Sequence, residues 1–345
     1  MHNTSPLYAP LLGDAGVQAL FSGAAQAKHM VAFERALTAA MARAGLVERA
    51  AAGRADAALA AFRPDLAALG AGSLADGVPV PALVRALRAA APDAEAAAAV
   101  HVGATSQDVL DTSLALTLDR LYPLLLARLS DVLDAMRALE ARDGAAALMG
   151  RTRMQAALPI LVGDRLAAWR APLSDLAAEG PRRRAESARL QFAGPVGTRA
   201  PDQVSADMAT ALGLGHGPGW HTDRRILTRT GAWLSEVSGA LGKLGQDVAL
   251  MAAAGEAALA GGGRSSAMPH KQNPVDAEVL VTLARFNAVQ IGGLHQALVH
   301  EQERSGAAWT LEWMILPAMA EASGTALTTA ARLLGRLTRL GDAAA

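Results

Sequence analysis

The chain has 345 residues, 52% of them hydrophobic but only 3% aromatic, so a large core is available and much of it is alanine. Its 32 basic and 32 acidic residues cancel, which excludes bulk attraction to nucleic acid or anionic membranes and leaves open specific anion binding by a few placed arginines. Cysteine is absent, which excludes disulfides, thiolate metal sites and a cysteine nucleophile.

Alanine has the best helix propensity and permits close helix contacts, so this composition predicts packed helices. The opening MHNTSPLYAPLLGDAG lacks the basic-then-apolar order of a signal segment. Charged residues punctuate every Ala-rich stretch, so no membrane span is expected and a cytoplasmic protein is. From Gln26 to Ala44, Met30, Phe33, Leu37 and Met41 recur at helical spacing. A Pro/Gly-rich passage follows, from Gly70 through Pro79 and Pro81, and a short helix over Ala82–Ala90 ends before Pro92. A boundary there gives an N-terminal helical domain over 1–97 and a central long-helix bundle domain over 98–345. Long helices are expected over Asp111–Arg142, kinked at Tyr122-Pro123, and over Pro159–Ala178, Arg224–Leu259, Pro274–Glu303 and Leu311–Leu340. No stretch alternates as a strand should, and the fold class read from the pattern is an all-α bundle.

Five passages break the helical pattern: His101–Thr112, Gly150–Gln155, Gln191–Thr198, Gly261–Pro274 and His300–Trp313. Polar loops on a rigid frame are where function usually sits. In the fourth, Gly261-Gly262-Gly263 gives a pliable backbone, and Ser265, Ser266 and Lys271 precede Asn273-Pro274, read as the cap and first position of a helix. Anions are favoured at such a helix start, and a nearby ammonium can stabilise a serine alkoxide. On spacing alone, an ordinary Gly/Ser loop with a helix cap is an equal reading.

The run from Ser265 to Pro274 (SSAMPHKQNP) closely resembles the signature of the fumarase/aspartase superfamily, with Arg264 standing where glycine usually precedes the first serine. The resemblance implies Ser265 as the proton-transferring base with Ser266 beside it, and Lys271 and Asn273 as carboxylate partners. His101-Val102-Gly103-Ala104-Thr105-Ser106-Gln107-Asp108 resembles the first conserved region in the form seen in adenylosuccinate lyases and carboxymuconate cycloisomerases. It implies substrate binding by His101, Thr105 and Ser106, although an isolated histidine is more often structural. Gly150–Gln155 (GRTRMQ) with Pro159 resembles the second region, and implies substrate binding by Arg153 and Gln155. Arg153 stands where the lyases carry a general-acid histidine; arginine stays charged and cannot supply that proton. An amine or amide leaving group needs such a donor, whereas a carboxylate group does not, so Arg153 points to the cycloisomerase branch. A surface charge at a helix start is the plainer reading of the same residue.

QFAGPVGT at Gln191–Thr198, WHTDR at Trp220–Arg224 and the segment His300–Trp313, which holds Arg304 as a further substrate-binding candidate, resemble elements of the same branch. By itself Glu303-Arg304 reads as an ion pair on a solvated face. The superfamily implies a tetrameric twenty-helix core with active sites shared between subunits, a small polycarboxylate substrate, and no metal or organic cofactor. A third, C-terminal domain is expected to be missing or much reduced, since the sequence stops soon after the last bundle helix. Adenylosuccinate lyase activity and a catalytically silent paralogue are the alternatives.

Overall fold

The computed structural model describes residues 5–198, 200–264, 268 and 272–342. Seven helices come first: α1 (Ala9–Leu12), α2 (Ala15–Leu20), α3 (Gly23–Arg43), α4 (Arg49–Ala61), α5 (Leu66–Asp76), α6 (Val80–Ala90) and α7 (Ala94–Ala98). Side chains begin several of them in the expected way. Ser22 accepts from the Ala25 N–H at the start of α3, and Glu48 and Asp65 accept from the first-turn N–H groups of α4 and α5.

The long elements follow: α8 (Ser106–Asp143), β1 (Ala147–Thr152), β2 (Gln155–Leu161), α9 (Val162–Ser187), α10 (Asp202–Leu212), α11 (Arg225–Ala253), β3 (Ala257–Leu259), β4 (Gly263–Arg264), β5 (Gln272–Asn273), α12 (Val275–Gln296), α13 (Gly306–Arg336) and β6 (Leu337–Leu340). Pro123 lies inside α8, and the helix continues through it. Helices α8, α9, α11, α12 and α13 pack together as the long-helix bundle. At 1.5 Å per residue the 38 residues of α8 span on the order of 57 Å, so the bundle has two well-separated ends. No helix among the described residues is long and apolar enough to cross a membrane.

The strands correct the expectation that there are none. β1 and β2 form an antiparallel hairpin, so Pro159–Leu161 belongs to β2 and the next helix starts at Val162. The two-residue turn puts Arg153 at φ 49 and Met154 at φ 65, the left-handed pair whose twist matches a hairpin. Six of the seven β2 residues are exposed. A strand with no buried face carries no alternating pattern to read. β3 pairs with β6, which ends α11 and α13 earlier than expected, and β4 pairs with β5. Helix α12 ends at Gln296 rather than Glu303. Asn273 does not cap it: Asn273 pairs with Gly263, and the cap position is Pro274, with no side-chain cap bond.

Two cores result. The larger runs along the bundle through Leu118, Leu125, Leu173, Leu241, Leu280 and Met319, with the Tyr122 and Trp233 rings 5.1 Å apart. Each such leucine contributes roughly 1.5–3 kcal/mol on burial. Close approach is essential between α11 and α12. A Cβ on Gly245 would lie 2.6 Å from the Ala277 carbonyl oxygen and 2.8 Å from Leu280 Cβ. The smaller core joins the α3 stripe, Met30, Phe33, Leu37 and Met41, to Leu83, Leu87, Val109, Phe192 and Met208. Helix α10 therefore packs on α3 from far along the sequence.

Candidate active site

At one end of the bundle, helices α8, α11 and α13 all begin, and their first turns meet. Arg224, at the cap of α11, is 1% exposed and lies between two carboxylates. Its Nε and Nη2 donate to Glu312 at 2.8 and 2.6 Å, and its Nη1 and Nη2 donate to Asp111 at 2.6 and 3.1 Å. Burial works against this charge, but the Asp111 and Glu312 carboxylates outweigh it and hold the guanidinium pKa above its ordinary value. Trp309 Nε1 donates to Asp111 Oδ1 at 3.1 Å, and Arg224 stacks over Trp220 at 4.8 Å.

Asp108 organises the neighbouring loop. It accepts from the N–H groups of Thr105 (3.0 Å), Ala193 (2.9 Å) and Gly194 (3.1 Å) and from Gln191 Nε2 (3.1 Å). Burial nonetheless pushes its carboxyl up to about 6, with the four donors acting in the opposite direction. Gln191 Oε1 in turn accepts from the Trp220 N–H at 2.6 Å. The passages QFAGPVGT and WHTDR are thus tied to the first conserved region by buried hydrogen bonds. Gly197, at φ +72, lies against His221, where a Cβ would come 2.7 Å from the ring.

Four sequence-predicted residues sit on this frame. Thr105 caps α8, and its Oγ1 accepts from Arg304 Nη2 at 2.9 Å. Arg304 also donates to Gln107 Oε1 (3.0 Å) and to the Pro195 carbonyl (3.3 Å), and pairs with no carboxylate among the described residues. The ion pair with Glu303 is therefore not formed; Arg304 bridges three loops instead. His101 Nδ1 lies 2.6 Å from Glu34 Oε1. Ser106, in the first turn of α8, is half-buried beside them. His221 and His300 add buried ring nitrogens with no hydrogen-bond partner among the described residues: Nε2 of His221 and both nitrogens of His300, whose Nε2 is 3.5 Å from Glu312 Oε1. Burial, then the Arg304 charge, holds the His221 pKa below its usual value.

Three other predicted residues, Arg153, Gln155 and Asn273, lie at the opposite end. Arg153 is at the exposed tip of the β1–β2 hairpin, and Gln155 opens β2, also exposed. Arg151 in the same hairpin pairs with Glu256, just past α11, and Asp143 Oδ2 accepts from the Leu340 N–H at 2.9 Å. Asn273 is half-buried in β5 at the start of α12. Asp276 in the first turn of α12 holds Arg332 and Arg336 of α13. These contacts place the hairpin, the start of α12 and β6 together. Ser265, Ser266 and Lys271 lie outside the described residues. Within one chain, Arg153 and Gln155 are separated from Thr105, His101 and Arg304 by the length of α8. Among the described residues no group of three or more His, Asp or Glu is arranged to hold a metal ion.

Glu34, Gln107, Asp111, Arg224 and Glu312 were not singled out as site residues from sequence. For Glu34 a signal was available: it falls on the apolar stripe of α3, between Met30 and Leu37, where a carboxylate is out of place.

The frame is a long-helix bundle with exposed arginines, Arg304 and Arg153, in the turns at its two ends. Residues 19–291 match the family model described as Lyase, and the chain belongs to this family, within the fumarase/aspartase superfamily. It is 37% identical to the 3-carboxy-cis,cis-muconate cycloisomerase of Bradyrhizobium diazoefficiens, over 91% of this chain and 72% of that one. It is also 37% identical to the nitrosuccinate lyase of Streptomyces davaonensis, over 97% of this chain and 75% of that one. The solved structure of the 3-carboxy-cis,cis-muconate lactonizing enzyme from Pseudomonas putida is similar with a TM-score of 0.89 at 32% identity, covering 97% of this chain and 77% of that one.

Proposed function

We propose that the chain is a 3-carboxy-cis,cis-muconate cycloisomerase, acting in the cytoplasm in protocatechuate (β-ketoadipate) degradation. The observation that carries this reading is Arg153 at an exposed hairpin tip, in the position of the lyases' general acid. A guanidinium binds carboxylate and cannot protonate a leaving group. In the proposed reaction one substrate carboxylate oxygen adds across a double bond, forming the C–O bond of γ-carboxymuconolactone. The displaced electron pair rests on the carbon alpha to a second carboxylate, as an aci-carboxylate, until a proton quenches it. Ser265, with Ser266 beside it, is assigned the proton transfer. Lys271 and Asn273 are assigned to the developing oxyanion, and His101, Thr105, Ser106, Arg153, Gln155 and Arg304 to the substrate carboxylates.

Two ends separated by the length of α8 cannot serve one substrate from a single chain. We therefore propose a homotetramer in which each site draws its residues from different subunits. Exposed apolar side chains on the bundle, Val289 and Met314, and on the hairpin, Met154 and Leu158, support such covering by other subunits.

The test is loss of ultraviolet absorbance of 3-carboxy-cis,cis-muconate with purified protein and a chelator, because lactonisation breaks the conjugated diene. Rapid loss is expected; none, from a confirmed tetramer, rejects the assignment. The nitrosuccinate lyase relative favours a second reading, elimination of nitrite. Nitrite is a weak base that leaves without a proton, so Arg153 is compatible with it too. Nitrite release from nitrosuccinate, with the muconate untouched, would select that reading.

A further inference from the structure

Helix α3 carries a carboxylate that its packing does not explain. Glu34 is 0% exposed among Met30, Phe33 and Leu37, and among the described residues only one of its oxygens has a hydrogen-bond partner. That partner is His101 Nδ1, at 2.6 Å and 67 residues away in sequence. A buried carboxyl group held by a single partner is costly, and an apolar side chain would fill the same stripe without that cost. His101 is strained as well: its φ of 61 is uncommon for a residue with a Cβ. Its side chain stays 16% exposed, and Nε2 has no partner among the described residues. The turn then leads directly into Thr105, which is bound to Arg304.

We propose that Glu34 is a positioning residue: it accepts the Nδ1–H of His101 and so turns Nε2 outward, where the ring, when it carries both protons, donates Nε2–H to a substrate carboxylate. Which ring nitrogen is offered outward is set by the hydrogen bond the other one makes. Other charges around this turn are Asp108 in the first turn of α8, Arg304 on Thr105, and Arg88 of α6, which donates to the Val100 carbonyl at 2.9 Å. None of them is bonded to the His101 ring. Among the described residues Glu34 alone holds it.

The kinetic part of the test rests on the proposed cycloisomerase reading. Glu34→Ala is expected to raise KM for 3-carboxy-cis,cis-muconate about tenfold while kcat changes less than about threefold. Combined with His101→Ala, it should add nothing further, since it acts through that ring. Glu34→Gln keeps an acceptor oxygen and should fall between Glu34→Ala and the wild type. An unchanged KM in Glu34→Ala, or effects that multiply in the double variant, would overturn the proposal. A direct measurement needs no substrate and no folded Glu34→Ala. Nitrogen NMR of histidine-labelled wild-type protein, with the His101 signal assigned by its loss in His101→Ala, should show a proton on Nδ1. A bare Nδ1 on a neutral ring overturns the proposal whatever the enzyme's substrate. A chain that turns over no muconate defeats the functional reading, while the NMR result still decides the Glu34–His101 pair.

Discussion

The two ends of the bundle differ in how they hold their polar groups. Where α8, α11 and α13 begin, Asp108, Asp111, Gln191, Arg224 and Glu312 are all buried and bonded across segments far apart in sequence. At the other end Arg153, Met154, Gln155 and Leu158 face outward from a two-stranded hairpin, anchored to the rest of the chain in part by Arg151 and Glu256. The first end is preorganised by its own chain, and its side chains keep their geometry without ligand. The second presents a twisted tip where the Arg153 and Gln155 side chains have no partner among the described residues. This contrast fits a protein whose hairpin serves a neighbouring subunit's site, as proposed above.

The largest effect expected from breaking the contrast is at the buried end. Glu312→Ala leaves Arg224 with one carboxylate instead of two in a site closed to water. Removing one partner from a buried ion network costs about 3–5 kcal/mol, to be read as a lower midpoint in urea unfolding. A loss below about 1 kcal/mol would be typical of exposed pairs and would show that the network is not held as rigidly as its distances imply.

Asp108 gives the next effect, and its sign is opposite to the usual carboxylate. Its pKa is raised from 3.8 to about 6, so the folded protein keeps a proton that the unfolded chain releases between those values. The carboxyl's contribution to stability is full below 3.8 and declines as pH rises through about 6. The whole decline is on the order of 3 kcal/mol at about 1.4 kcal/mol per pKa unit. Carbon NMR of the labelled Asp108 carboxyl should titrate near 6; a midpoint at or below 4 would mean that four N–H donors outweigh burial.

Such features mark how far the sequence could be read. Helices α8, α11, α12 and α13 were legible because each is long and repeats its apolar positions many times over. The hairpin was not, since β2 buries no face and β1 buries only Leu148, so neither imposes a period of two. Candidate residues at the buried end were legible as motifs, but their partners were not. Arg304 meets Gln107 across 197 residues, and Arg224 meets Asp111 across 113. Only the packing of α8 against the other bundle helices brings them together. Glu34 lies between these cases: its place on an apolar stripe could be seen, its partner could not.

A smaller, purely functional effect belongs to the exposed end. Arg153→Ala removes a charge that bonds no other described group, so stability should stay within about 0.5 kcal/mol. Loss of one charged contact to substrate should lower kcat/KM roughly tenfold to a hundredfold, about 1.4 kcal/mol per factor of ten. A variant that also unfolds more easily would give the hairpin tip a structural part that its exposure does not suggest.

The smallest signal separates the two ends most sharply. If each site takes its hairpin from one chain and its Thr105–Arg304 surface from another, an Arg153→Ala chain and a His101→Ala chain are defective at opposite ends. Mixed, dissociated and reassembled together, some sites in the hybrid oligomers receive an intact hairpin and an intact His101 turn. Others receive both defects. Activity in the mixture should therefore rise above that of either variant reassembled alone, to a fraction of the wild-type rate. Sites built within one chain gain nothing from mixing, because every chain still carries its own defect. Recovery that fails to appear, with hybrid oligomers confirmed by mass, would mean that the ends do not meet across subunits, and the long separation along α8 would need another explanation.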